Sequence, residues 1–494
     1  MLREMLGSQT AAPIWTPHPG PQTEAMRSEA DELFYGGAAG GGKSDLLLGL
    51  ALTQHRRSLI LRREYTQLVG VGGLIERSRE LLGGTSARYN GSEHVWWHIP
   101  GGRALGFGGI EQQSDVWKYA GKPRDLLCFD EVSHFTRDQY RTMRGWVRTT
   151  VPWQRTRVVA TGNPPTTPEG EWVVEHWAPW LDPTHPRPAE PGELRWFATI
   201  DGAERELPGP EPIEHAGETI QPKSRTFIPA RLEDNPSLGV AYRSELQAMP
   251  EPLRTQLLYG DFGLTLEDHP WQVIPTEWIR LALERWTGDR SSEQGAVGID
   301  CARGGADQQV LASLRGVCFD KLQTWRGKDV PDGPAAAGLL APHIEPSATA
   351  YVDVIGVGSS VYDQLRQQGV RCIAVNSAES APEHARDRTG RLRPRNMRSW
   401  AWWSLREALD PETGMDVALP PDRALAADLA TPRYRIIGTD MIAVEPKEDI
   451  IKRLGRSPDR GDAVCYAWLG VSCATPVGYH SVQGRRIVRR RGAL

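Results

Sequence analysis

Two sets of residues in this chain have the types and spacing that phosphate chemistry requires. The first is Gly37-Ala-Ala-Gly-Gly-Gly42-Lys43-Ser44, which fits the pattern G-x-x-x-x-G-K-[ST]. Glycines at Gly37, Gly40, Gly41 and Gly42 let backbone N–H groups curl around phosphate oxygens, and a helix starting at the lysine offers its positive end. Lys43 would reach the β- and γ-phosphates of ATP, and the Ser44 hydroxyl would ligate Mg²⁺. A glycine-rich loop that only caps a helix would look similar, but this pattern arises by chance in roughly one such chain in a hundred. Basic residues comprise 8 Lys and 50 Arg, so a lysine in the motif is less easily accidental. Further on, Asp125-Leu-Leu-Cys-Phe-Asp130-Glu131 is an apolar strand ending in two acids. Asp130 would hold Mg²⁺ through water, and Glu131 would orient or deprotonate the attacking water. A third strand, Val158 to Thr161, runs into Gly162-Asn163-Pro164, whose polar groups could sense the γ-phosphate or simply form a strand-to-loop turn.

The second set is acidic. Two-metal phosphodiester cleavage needs three or four carboxylates converging on ions ~3.5–4 Å apart. Asp300 ends the run Ala296-Val-Gly-Ile-Asp300, and Asp353 ends Tyr351-Val-Asp353 ahead of a glycine turn. Asp459 and Asp462 lie three apart at the opening of a last helix, hence on one face, with Ser457 expected as its cap and Pro458 at its first position. Singly, such acids are usually turn formers or helix-dipole partners. As a set, Asp300, Asp353 and Asp462 are the expected ligands of Mg²⁺ or Mn²⁺, with Asp459 beside them and Asp307 in support.

The elements needed to position these groups are α/β throughout. Residues 1–165 alternate strands (Ser58 to Leu61, Asp125 to Asp130, Arg157 to Thr161) with helices, which predicts a parallel sheet. The proline-rich stretch 164–222 reads as an insert or lid within a first domain spanning 1–266. A linker is expected at 267–290, around a short helix. A second α/β domain follows over 291–475: a strand to Asp300, a hairpin across Arg315-Gly316, then Ala350 to Ile355, Cys372 to Val375, and helices between and after. Residues 476–494, with five arginines and no acid, read as a flexible basic tail.

Composition excludes several classes. Of 494 residues, 39% are apolar and 24% charged, so large cores are possible and global disorder is not expected. No apolar run approaches the ~20 residues of a membrane span, and no secretory signal is expected. Six scattered cysteines lack metal or disulfide spacing, as in a reducing compartment. The net charge of −4 excludes a uniformly basic nucleic-acid coat. Six arginines between Arg386 and Arg398, with only Asp387 among them, could track a DNA backbone or be a solvated loop. Trp400, Trp402 and Trp403 on one helix are expected to pack a core rather than stack on bases.

The ordered series Tyr35-Gly-Gly-Ala-Ala-Gly-Gly-Gly-Lys-Ser44, Leu59-Ile-Leu-Arg62-Arg63, Tyr119-Ala-Gly121, Phe129-Asp-Glu-Val-Ser-His-Phe135 and Thr161-Gly-Asn-Pro164 resembles the large terminase subunit of tailed bacteriophages. Pro21-Gln22 resembles that family's adenine-contacting glutamine. Arg231-Leu-Glu-Asp-Asn-Pro236 resembles its motif at the end of the ATPase domain, and Glu445-Pro-Lys447 resembles its segment carrying a lysine near the scissile phosphate. Many relatives carry an arginine in the P-loop where this chain has Ala38-Ala39, so the charge-stabilising arginine would come from Arg62 or Arg124 of this or a neighbouring subunit. The resemblance implies a P-loop NTPase of the additional-strand type (ASCE) followed by an RNase H-like nuclease domain. It implies ATP-driven translocation of double-stranded DNA into a prohead, with metal-dependent cleavage of concatemers. It also implies a portal protein and small terminase subunit as partners, a ring of five copies, no membrane, and location in the host cytoplasm rather than the mature virion. An ATP-dependent helicase or recombination nuclease with no capsid, or a C-terminal DNA grip without cleavage, are the competing readings.

Overall fold

The computed structural model describes residues 13–238, 240–251, 253–263, 268–302 and 307–474; the expected basic tail lies outside them. The chain divides into two compact units, Met1–His269 with Glu448–Gly455, and Pro270–Lys447 with Arg456–Leu494.

In the first unit, six parallel strands form the centre of a ten-stranded sheet: β1 (Glu32–Gly37), β2 (Arg57–Arg62), β3 (Arg103–Gly109), β4 (Leu126–Phe129), β5 (Arg157–Gly162) and β6 (Lys223–Ala230), in the order β3-β2-β4-β5-β1-β6. β5 thus lies between the P-loop strand β1 and the acid-bearing strand β4, which is the additional-strand order. Two-residue periodicity sorts the side chains onto two cores. Leu33, Tyr35, Ile60, Cys128 and Val159 face helix α1 (Pro21–Arg27) and helix α2 (Lys43–Thr53). Phe34, Leu61, Phe129 and Ala160 face Tyr140 of helix α3 (Arg137–Arg144), with Trp172 and Trp177. Sheets buried on both faces read as near-continuous apolar runs, which is why β2, β4 and β5 were legible. The proline-rich insert contributes more to the sheet than its composition suggests: Arg195–Ile200 and Ala203–Leu207 extend its edge as antiparallel strands beyond β6. Only Ile213–His215 and Glu218–Ile220 form a separate hairpin.

The second unit begins inside the expected linker. Helix α4 (Thr276–Glu284) buries Ile279 and Ala282 completely, and Leu419 donates its N–H to the Ala282 carbonyl, so this segment is part of the unit's core. Its sheet is built on β7 (Gln294–Asp300), β8 (Gln308–Arg315), β9 (Thr349–Asp353) and β10 (Arg371–Val375). β8 is antiparallel to β7 and pairs with the short strands Cys318–Phe319 and Gln323–Arg326; β9 and β10 run parallel to β7. The order hairpin-β8-β7-β9-β10 is that of an RNase H-like fold. Val297, Ile299, Ala350 and Val352 face helices α5 (Gly333–Leu340) and α6 (Gly358–Gln367). The other face takes α10 (Asp459–Ala474), with α7 (Met397–Leu409) and α8 (Arg423–Ala430) packed against it, while α9 (Lys447–Leu454), but for Lys447, belongs to the first unit. α10 starts one residue later than expected, and the Pro458 carbonyl accepts the Asp462 N–H, so Pro458 occupies the cap position instead of Ser457. No helix among the described residues is long and apolar enough to cross a membrane.

Candidate functional sites

The loop between β1 and α2 is shaped by its glycines. Gly37, Gly40 and Gly42 have φ of 135°, 80° and 70°, and a Cβ on Gly37 would lie 2.7 Å from the Ala230 carbonyl oxygen. The loop is braced from several sides. Tyr35 Oη donates to the Gly41 carbonyl at 3.0 Å, Asn235 Nδ2 to the Gly40 carbonyl at 2.7 Å, and Ala39 N–H to the Leu257 carbonyl at 2.7 Å. The segment 231–236 named from the family resemblance therefore serves as a buttress of the phosphate loop. Gln22, expected to contact adenine, is buried with both ends of its amide in use: Nε2 donates to the Gly42 carbonyl at 3.0 Å and Oε1 accepts the His18 N–H at 2.5 Å.

At the rim of this loop the predicted groups meet. Lys43 Nζ donates to Asn163 Oδ1 at 2.7 Å and to the Ala38 carbonyl at 2.5 Å. Asp130 accepts from Ser44 Oγ at 2.9 Å, from Thr161 Oγ1 at 2.9 Å and from Arg62 Nε at 2.7 Å. Glu131 has φ 57°, a left-handed conformation uncommon for a non-glycine residue, and accepts the Asn163 N–H at 3.4 Å. Burial, and then the charge of Asp130, push the Glu131 carboxyl above its ordinary range. Burial holds the Lys43 ammonium below its ordinary range, opposed by Glu131 and Asp130. A cavity of about 450 Å³ opens beside Ser44, Asp45, Arg62, Gln67 and Arg77. Of the two arginines considered, Arg62 is at this site. Arg124 is at the opposite end of β4, buried, and donates to the Tyr119 and Lys122 carbonyls at 2.8 and 3.2 Å.

In the second unit, close packing brings the acids together. A Cβ on Gly298 would lie 1.9 Å from the Ala463 carbonyl oxygen and 2.4 Å from the Ala467 nitrogen, so only glycine lets α10 lie this near β7. Two residues on, Asp300 emerges on the same face, as Asp353 does from β9. Tyr466, one turn after Asp462, donates its hydroxyl to Asp353 Oδ2 at 3.0 Å. Lys447 closes the cluster: Nζ is 3.0 Å from Asp300 Oδ2, 3.3 Å from Asp459 Oδ1 and 3.5 Å from Asp462 Oδ2. Each helix acid is also fixed from behind. Gln308 N–H donates to Asp459 Oδ2 at 2.8 Å; Arg398 Nη1 and Trp402 Nε1 donate to Asp462 Oδ1 at 2.5 and 2.9 Å.

Burial raises the Asp300 carboxyl well above its usual range; Lys447 pulls it down, while Asp459, Asp462 and Asp353 push it up further. Asp353 is also raised, mainly by burial. Lys447 is held well above the ordinary lysine range because the three acids outweigh its burial. Among the described residues no group of three or more His, Cys, Asp or Glu stands ready-made to hold a metal ion. The donor set nonetheless fits hard divalent cations. It consists entirely of carboxylate oxygens, three of which converge on a cation, the Lys447 ammonium. Asp307 lies one residue before β8 with its surface exposed; partial desolvation against the site, then the Asp459 charge, raise its carboxyl.

Three residues escaped the sequence reading as parts of this site. Arg398 belonged to the arginine stretch considered for DNA, yet it is buried against Asp462. Trp402 is core, as expected, and also a donor to Asp462. Tyr466 carried a usable signal in its four-residue spacing from Asp462. In the same stretch Arg388 and Arg393 pair with Asp410 and Asp440, which lowers its charge further.

No family model and no curated protein matches the chain. Among solved structures it is similar to the large terminase of a thermophilic bacteriophage, at 12% identity over 91% of this chain and 98% of that one, with a TM-score of 0.36. The complex of that terminase with ADP aligns at 13% identity over the same shares, with a TM-score of 0.34. It is also similar to the nuclease domain of the large terminase subunit gp2 of bacterial virus Sf6, at 16% identity over 40% of this chain and 97% of that one, with a TM-score of 0.33. What this chain resembles, in its ordered motifs and among solved structures alike, is the large terminase subunit.

Proposed function

We propose that the chain is a DNA-packaging motor that also cuts DNA: an ATPase in the first unit and a metal-dependent endonuclease in the second. The observation that carries this reading is the tandem. One polypeptide holds a phosphate loop coupled to an acid pair and, separately, a four-carboxylate cluster on an RNase H-like sheet. In the first unit, Lys43 and the loop amides would bind the ATP phosphates, and Glu131 would take a proton from the attacking water. Burial, and then the Asp130 charge, raise its carboxyl above the ordinary range, in the direction that makes it a stronger base. Thr161 and Asn163, bonded to Asp130 and Lys43, would register loss of the γ-phosphate. Arg62 would neutralise charge developing at the site.

Divalent cations, held by Ser44 and Asp130 in one unit and by Asp300, Asp353, Asp459 and Asp462 in the other, would supply Lewis acidity. Lys447 would steady the scissile phosphate, with Tyr466, Arg398, Trp402 and Gln308 keeping the acids in place. Under the same reading the chain's partners would be duplex DNA, a portal on a prohead, a small terminase subunit and a ring of five copies, in the host cytoplasm.

The test is ATP turnover together with plasmid nicking in Mn²⁺. Asp353→Ala should abolish nicking and spare ATP hydrolysis, and Lys43→Ala should do the reverse. Plasmid left intact by the wild-type chain under Mg²⁺ and Mn²⁺ would remove the nuclease. Unwinding of duplex by the chain alone would favour a helicase.

A further inference from the structure

The parallel strands of the first unit have a second end, remote from the phosphate loop, and arginines collect there. Asp125 N–H donates to the Arg57 carbonyl at 3.0 Å, Arg157 N–H to the Asp125 carbonyl at 2.8 Å, and Val158 N–H to the Asp31 carbonyl at 2.8 Å. These bonds set Arg57, Asp125, Arg157 and Asp31 at one level along the sheet edge. Arg148 joins them through its N–H to the Arg124 carbonyl at 2.9 Å.

The partners of these guanidinium groups are backbone carbonyls. Arg57 donates to those of Arg56 and Gly102, Arg124 to Tyr119 and Lys122, Arg148 to Gly121, Arg155 to Ser28 and Ala30, and Arg157 to Ala25. A carbonyl fixes a guanidinium without cancelling its charge, whereas many arginines elsewhere in the chain are paired with carboxylates. Arg157 itself is buried, so the surface charge is carried by exposed Arg57, Arg148 and Arg155. The acids at this edge are mostly engaged. Asp125 is buried on His55 and the N–H groups of Arg56 and Arg57; Asp31 accepts from Ser224 and faces Lys223 and Arg155; Glu32 serves Arg144; Asp115 pairs with Lys118. Glu29 is exposed and faces Arg155. Exposed Arg27 and Lys122 add to the positive field, and cavities of about 400 and 380 Å³ indent the edge.

We infer that this edge is a contact surface for the phosphate backbone of duplex DNA, separate from the nucleotide and acidic sites; the choice of DNA rests on the motor reading above. Arginines anchored on carbonyls, with Arg155 alone also facing the acids Asp31 and Glu29, suit a regularly charged polyanion, where counterion release supplies affinity without a shaped pocket. A stable protein partner would bury about 800 Å² per side around an apolar core. The large exposed apolar side chains here are two separate indoles, Trp117 at 65% and Trp153 at 73% exposure, the latter stacked under Arg56.

The test measures binding of a labelled 40-base-pair duplex to the full chain by fluorescence anisotropy, in chelator, across a salt series. In Arg57→Gln/Arg148→Gln/Arg155→Gln, affinity should fall about tenfold or more and the log–log salt slope by ~2–3, since each lost phosphate contact removes ~0.9. Basal ATP hydrolysis without DNA should stay at the wild-type rate. Because Arg155 also anchors backbone, Arg27→Gln/Lys122→Gln provides a second variant, expected to shift both quantities in the same direction by about two contacts' worth. Unchanged affinity and slope in both would overturn the inference. So would loss of polyglutamate binding with duplex binding intact, which would assign the edge to an acidic protein. A wild-type chain that binds duplex but never hydrolyses ATP would instead sink the motor reading alone.

Discussion

At the nucleotide site, eight consecutive residues supply the loop amides, the cation and the hydroxyl, and the remaining groups stand at the ends of neighbouring parallel strands. At the acidic site the four carboxylates come from two strands and a helix up to 162 positions away, from Asp300 to Asp462. The first site is local chemistry stiffened by its surroundings. The second exists only while α10 lies against β7 and β9. A perturbation that shifts a helix by an ångström should therefore spare one site and ruin the other, although both handle phosphate.

The widest separation of the two should come from their cations and acids. Lys43→Ala should cut ATP turnover by about 10³-fold or more while leaving plasmid nicking within twofold, and Asp353→Ala should invert that pattern, both read by steady-state assays. Equal loss of both activities in either variant would mean that the sites are not independent. Next in size is Arg398→Met, which leaves Asp462 buried beside a lost partner. Its cost should be about 3–5 kcal/mol in urea unfolding, confined to the second unit's transition. Gly298→Ala should cost about 3 kcal/mol, because the added methyl has no room between β7 and α10. It should abolish nicking with ATP turnover retained, and a functional nuclease in this variant would break the claim that close packing builds the site.

A smaller effect sharpens the comparison within the first unit. Glu32, at the start of β1, has its pKa lowered to about 2: burial opposes this, but Arg144, Arg225 and His176 outweigh it. A depressed carboxylate stabilises above its unfolded value near 4.5, and that contribution is lost as pH falls towards 2. Glu32 should account for about 3 kcal/mol of stability lost over this window, and Glu32→Gln should lack that share of the dependence, as followed by urea midpoints at each pH. Smallest is Trp402→Phe, which removes one hydrogen bond to Asp462. It should cost about 1 kcal/mol and lower nicking without affecting ATP turnover.

How far these sites were legible follows from the same contrast. The phosphate loop, the acid pair and the polar end of β5 could be read because strands buried on both faces are short apolar runs that end where chemistry begins. The acids of the second unit could be nominated because each ends or opens such an element. Strands β3 and β6 were passed over because their glycine, proline and polar residues weaken the apolar pattern. Arg398 was not legible as part of the site, because an arginine in a basic stretch looks the same whether it faces solvent or a buried carboxylate. Arg124 was a fair nominee by its proximity in sequence to Asp130, but a strand separates its two ends by ~3.3 Å per residue.

The amino-acid order alone determined which residues could cradle phosphate, which strands alternate with helices, and which acids end them, since these depend on spacing within a few residues. Tertiary structure decided the rest: that Lys447 stands among three carboxylates, that Arg398 and Trp402 hold one of them, and that carbonyl-capped arginines line one sheet edge. Those arrangements depend on the distance between chain segments far apart in sequence. That distance is set by packing, such as the absent side chain of Gly298, and not by any local pattern.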